Sequence, residues 1–135
     1  MINVMRTFLF LSTILIIGAA SGASGKPFDS PVGEWSWLGE GPHGAVEIGQ
    51  MTIVDEKKAT YSYRNGRIFF YAKYDQRKWE GYWIESTGVY NCADKMDGDT
   101  NWGTMKFQFN DTYTKWKGEF DFCGRPKKYS WDGFR

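Results

Sequence analysis

The chain is poor in the residues from which reactive sites are usually built. Among 135 residues there is one histidine, His43, and there are two cysteines, Cys92 and Cys123. A structural zinc site or a redox pair needs a Cys-x-x-Cys or a histidine close to a cysteine in sequence, and neither occurs. No serine or thiol reads as a nucleophile beside His43, so GPHG is taken as a solvated loop and not as the seat of a general base. The segment DKMDGDT carries Asp94, Asp97 and Asp99 but lacks the alternating spacing and closing glutamate of a calcium loop, and it reads as a polar turn. No cofactor is expected. Lysine and arginine nowhere form a run, which argues against nucleic acid and anionic membranes as partners. Helical periodicity is also missing, and no segment is expected to be an α-helix.

Long apolar stretches are equally scarce. The one such run, Thr7 to Ile17, is 11 residues long, too short to span a bilayer as a helix. Arg6 precedes it and the small residues GAASGASG follow it, so residues 1–23 are expected to be a signal peptide cut after Ala20 or Ala23. Residues 24–32 would then be a flexible N-terminal segment and 33–135 a single domain, with no membrane association after cleavage. Losing Arg6 takes 17 basic residues to 16 against 16 acidic, for a net charge of zero. The expected location is secreted or periplasmic. In such a compartment two cysteines favour a Cys92–Cys123 disulfide, which on chain entropy would stabilise by roughly 3 to 4 kcal/mol.

What the chain has in quantity is aromatic side chains, 19% of the total, recurring at every second residue. That period belongs to strands. Alternation and turn residues mark eight of them: Gly33 to Leu38, Ala45 to Val54, Lys58 to Arg64, Arg67 to Tyr74, Arg77 to Glu85, Asn101 to Phe109, Thr114 to Phe122 and Lys127 to Phe134. Most connections are short, and Asn65-Gly66 carries the signal of a two-residue type I′ hairpin turn. Only Ser86 to Thr100 is long. The expected fold is therefore all-β, an eight-stranded antiparallel up-and-down meander barrel, with a two-sheet β-sandwich as the alternative.

Alternation also assigns an inner face. It takes Tyr61, Tyr63, Ile68, Phe70, Tyr74, Trp79, Gly81, Trp83 and Glu85 from the third to fifth strands. From the later strands it takes Met105, Phe107, Phe109, Trp116, Gly118, Phe120, Phe122, Tyr129, Trp131 and Gly133, leaving Asp121 outside. Three stretches, KWEGYW, KWKGEF and SWDGFR, place a tryptophan two residues before a glycine. A hairpin centred on Gly124-Arg125 would set Trp116 over Gly133 and Trp131 over Gly118, each ring covering bare backbone on the other strand. Trp79 and Gly81 have no such mate, and that glycine marks either a bend or room for a ligand.

Gly33-Glu34-Trp35 resembles the Gly-x-Trp opening of the calycin superfamily, which includes lipocalins and avidins. Arg135, after Trp131 and Gly133, is similar to the arginine that packs on that first tryptophan in lipocalin-like barrels. The resemblance implies a cation–π plug of Arg135 on Trp35. The lipocalin Thr-Asp-Tyr motif and a following helix are missing, so biotin or retinoid binding is not carried over.

In a meander the loops after odd-numbered strands share one end, which gathers Gly39 to Gly44, Asn65-Gly66, the long segment and Gly124 to Pro126. The disulfide would then pin the long loop over an open mouth. Glu85 falls there, either buried and binding a cationic or hydroxylated ligand, buried and paired with Arg135 or another base, or exposed at the strand end. The leading functional expectation is a non-enzymatic barrel that binds a small hydrophobic or aromatic ligand at this mouth, with Tyr61, Tyr63, Phe70, Trp79, Trp83 and Glu85 as contacts. The alternatives are a module or inhibitor that binds an extracellular protein through its rim loops, and a barrel enzyme such as an isomerase.

Overall fold

Alternation of large apolar and polar side chains commits more than half of the described chain to strands. The structure, a computed structural model, describes residues 28–135 apart from His43, Ala45 and Val89. The expected signal peptide, residues 1–23, and His43 lie outside the described residues. Eight strands follow in order: β1 Gly33–Glu40, β2 Val46–Ile53, β3 Lys58–Tyr61, β4 Gly66–Lys73, β5 Lys78–Glu85, β6 Asn101–Phe109, β7 Lys115–Phe120 and β8 Tyr129–Phe134. Each pairs antiparallel with its neighbours, and β1 closes on β8 from Ser36↔Phe134 to Gly39↔Trp131. The protein is thus a closed up-and-down barrel, not a sandwich. Closure removes the exposed sheet edges that eight short strands would otherwise present. Such a barrel is compatible with a calycin-like fold.

The inner face is built as the alternation requires. Trp35, Met51, Ile53, Ile68, Met105, Phe107, Phe109 and Trp116 are fully buried, each contributing about 1.5–3 kcal/mol on leaving water. Trp116 lies over Gly133, where an added methyl would sit 2.3 Å from three indole carbons. The reciprocal half of that expected pair is different. Gly118 lies beneath the Phe107 ring and only 2.4 Å separates its would-be Cβ from the Trp131 carbonyl oxygen, so no ring fits between the strands there. The Trp131 ring turns away, toward Trp37 and Tyr61.

Three further expectations are corrected. The β3–β4 hairpin is not a two-residue turn at Asn65-Gly66 but a four-residue connection, Ser62–Asn65, with one 3₁₀ turn. The left-handed conformations fall on Arg64 (φ 50°) and Asn65 (φ 51°), because Gly66 is required inside β4, directly under the Tyr61 ring. Tyr74, expected inside, is 69% exposed. Between Phe70 and Ala72 the register against β5 slips by one residue at Tyr71, and a one-residue slip moves every later side chain to the other face. Asp121, read as an outer, solvated residue, stands beside outer Thr104 yet is fully buried. Its carboxylate accepts from the Thr104 and Gly124 amides at 2.8 and 2.9 Å, from the Thr104 hydroxyl and from Lys128 Nζ at 2.6 Å. Burial pushes its pKa up, but these donors outweigh it and hold the carboxyl below its usual range.

One end of the barrel is shut. The Arg135 guanidinium lies 4.2 Å from the Trp35 ring centroid and 3.6 Å from that of Phe28. It donates to the carbonyls of Tyr113 (2.7 Å), Val32 (3.0 Å) and Ser30 (2.6 Å). Residues 28–32 are tied across this end, since Phe28 N also donates to Thr112 O and Trp35 Nε1 to Pro31 O.

Candidate functional site

The other end is open, and the side chains that line it are placed by strand parity. On β2, residues 47, 49, 51 and 53 face inward; the first of these is Glu47, at the mouth. Trp37 follows Trp35 by two on β1, Tyr61 ends β3, and Trp83 and Glu85 end β5. With Trp131 from β8 they enclose a cavity of about 280 Å³. Three of these rings meet as a corner: Trp37 with Tyr61 at 85°, Trp37 with Trp131 at 79° and Tyr61 with Trp131 at 77°, their centroids 5.3–6.1 Å apart. Edge-to-face contacts of this kind are favourable in themselves and turn ring faces in three directions.

The wall rings rest on glycines. A methyl at Gly49 would sit 2.4 Å from the Trp37 indole, and one at Gly66 would sit 1.9 Å from the Tyr61 ring. At Gly103 it would meet Trp83 Nε1 at 2.5 Å, next to the Asp121 carbonyl to which that nitrogen donates.

The rim carries the remaining contacts. Tyr90 from the long β5–β6 connection stacks on Phe122 at 4.0 Å, and beside them the Cys92–Cys123 disulfide joins that connection to the β7–β8 turn. The far part of the connection is fastened by Arg67, which pairs with Asp97 (3.2 Å) and Asp99 (2.7 Å). DKMDGDT forms a tight turn there, with Met96 and Asp99 exchanging backbone hydrogen bonds. Among the described residues no group of acidic, histidine or cysteine side chains is arranged to hold a metal ion.

Glu85 is the chemical centre of the site. It is 8% exposed, so the exposed alternative does not hold. Tyr61 OH donates to Oε1 at 2.8 Å and Asn101 Nδ2, directly across the β5–β6 ladder, to Oε2 at 3.2 Å. Arg135 is committed at the closed end and does not reach it. Burial pushes the Glu85 carboxyl up to about 7, against the opposing pull of the Tyr61 and Asn101 hydrogen bonds and the Arg64 charge. The same burial, with Glu85 next to it, holds the Tyr61 hydroxyl well above its usual value. At the rim Tyr63 OH donates to Glu47 at 2.9 Å, and the Arg64 guanidinium lies 4.7 Å from the Tyr63 ring centroid.

Of the six contacts expected from sequence, Tyr61, Tyr63, Trp83 and Glu85 are brought together at the cavity. Phe70 and Trp79 lie elsewhere in the interior, packed on one another at 5.0 Å; Trp79 also meets Phe109, and the Lys73 ammonium lies over it. Gly81 beside them marks a bend, not ligand space: its missing Cβ would meet the Phe69 carbonyl oxygen at 2.2 Å, where β4 bulges. Trp37, Glu47, Arg64, Tyr90 and Asn101 were not anticipated. Parity carried Glu47 and Trp37 to this end; nothing local marked Tyr90 or the Arg64 turn.

Comparison of the chain with protein-family models, with curated proteins and with solved structures finds no match.

Proposed function

We propose that this protein is an exported, non-enzymatic β-barrel that binds one small apolar or aromatic ligand in the open end. The observation that carries the reading is the contrast inside one barrel: a solid aromatic core gives way, at the disulfide-linked end, to a cavity walled by Trp37, Tyr61, Trp83 and Trp131. Its volume of about 280 Å³ is near the lower limit of ligand cavities, roughly 300–1,000 Å³, and suits a single ring with a short chain. The disulfide is compatible with an extracellular or periplasmic location. Together with the apolar leader expected over residues 1–23, it supports export.

Three of the wall residues are tryptophans, so occupancy is expected to quench or shift the intrinsic fluorescence. A titration with indole, phenyl and short alkyl compounds, neutral and charged, checks this; a flat response to all of them removes the reading. The alternative of a protein-binding module would then lead, supported by Leu38, Val46 and Ile48, which stand exposed together on the outer wall of β1 and β2.

A further inference from the structure

We infer that the ligand is a cation: an ammonium group on a small aromatic or apolar body, its charge against Glu85 and its body in the corner formed by Trp37, Tyr61 and Trp131. The inference rests on the proposed binding function and names its chemical class.

The first ground is the carboxylate itself. Glu85 is buried between β3 and β6, and its hydrogen-bond partners are two neutral groups, Tyr61 OH and Asn101 Nδ2. Among the described residues no lysine or arginine forms an ion pair with it. A carboxylate taken out of water without a counter-charge is costly; it either keeps its proton or gains a cation, and a bound ammonium group is the partner that lets it stay ionised. Each oxygen accepts one hydrogen bond and has capacity for another, so an incoming N–H donor needs no rearrangement.

The second ground is the shape of the walls. Ring faces carry negative quadrupole, and three rings set nearly perpendicular at 5.3–6.1 Å present such faces and edges on several sides of one corner. Ring faces set around a corner in this way attract an ammonium group that lies over them. A neutral hydroxyl would satisfy Glu85 as a hydrogen-bond partner but would leave its charge uncompensated.

The third ground is the balance of charge around the opening. Glu47 is a second carboxylate in the lining, and the one basic side chain there among the described residues, Arg64, stands over the Tyr63 ring at the rim. An anionic ligand seated in the cavity would meet two carboxylates against that single guanidinium.

A matched set of probes separates the possibilities: tryptamine, indole-3-ethanol and indole-3-acetate share one ring system and differ in charge. At pH 8, calorimetric titration is expected to show tryptamine binding at least about tenfold more tightly than indole-3-ethanol, the size of one charge-assisted hydrogen bond. In Glu85→Gln the preference is expected to vanish, tryptamine and indole-3-ethanol binding within about twofold of one another. Should Glu85→Gln fail to fold, the wild-type protein still decides: tryptamine affinity falls from pH 8 to pH 5 as Glu85 is protonated, while that of indole-3-ethanol holds. Among the described residues Glu47, Arg64, Tyr61, Tyr63 and Tyr90 are the other titratable groups that face the cavity, and Glu47→Gln run in parallel shows whether the fall belongs to Glu85. Equal affinity for amine and alcohol, tightest binding of indole-3-acetate, or a pH fall abolished by Glu47→Gln overturns the cationic assignment and leaves the binding function standing. If none of the three binds and neutral phenyl and alkyl compounds also fail, the binding function itself falls.

Discussion

The two ends of the barrel are made of the same materials and finished differently. At the closed end Trp35 and Phe28 face a guanidinium, that of Arg135, which also satisfies three backbone carbonyls. At the open end Trp37, Tyr61 and Trp131 face a buried carboxylate and no cation of the chain's own pairs with it among the described residues. One end shows an aromatic floor with its positive charge in place. The other has the floor and a buried carboxyl beside a cavity. The difference teaches that aromatic rings and a polar tip close an end of the barrel when the chain supplies both partners and leave it open when it supplies one.

The sharpest way to break this comparison is at Glu85. Its folded carboxyl is raised to about 7 from an ordinary 4.5, so between those values the folded protein holds a proton that the unfolded chain has released. Stability therefore falls as pH rises through that window and is lowest above it, by about 3 kcal/mol at full ionisation. Glu85→Gln is expected to remove the fall: urea denaturation should find the variant more stable than wild type at pH 8, with the gain shrinking toward pH 4.5. Parallel profiles for the two proteins would show that the open end does not carry an uncompensated acid.

At the closed end the sign is opposite, because the charge there is partnered. Arg135→Met loses the bonds to Tyr113, Val32 and Ser30 and both ring contacts, and is expected to cost about 2 kcal/mol in the same denaturation experiment. Ligand binding at the far mouth should be unchanged; a linked loss of affinity would mean that the two ends do not act independently. The smallest change is Phe28→Ala, which strips one ring from the guanidinium and is expected to cost about 0.5–1 kcal/mol, read as a small downward shift in Tm.

Much of this was legible from alternation. The parity that put Trp83 and Glu85 inside β5 also fixed the inward faces of β6 to β8, because those strands keep register without interruption until Phe120. Tyr74 was misplaced because nothing in FFYAKY announces an extra residue: every position is apolar or amphipathic, and the bulge follows from how β4 must bend over Gly81. Asn65-Gly66 was misread for a related reason. The dipeptide carries a turn signal, but the tertiary need for a bare backbone under Tyr61 outranks it and pushes the turn onto Arg64. Trp79 drew attention as an unpaired motif, whereas its surroundings are aromatic packing contributed by β4 and β6, which no local pattern reveals. Glu85 was visible as an inward carboxylate; its donors, Tyr61 and Asn101, lie 24 and 16 residues away and become its neighbours only when the strands pair.

The glycines beneath the wall rings carry a consequence for how this mouth can change. Trp37 and Tyr61 are recessed because Gly49 and Gly66 have no side chain to hold them off the wall. An alanine at Gly49 or Gly66 pushes a ring inward and shrinks the chamber without altering a residue that lines it. The dimensions of the cavity are written in hydrogen atoms on the neighbouring strands, so under the proposed binding function selectivity shifts through positions outside the cavity lining.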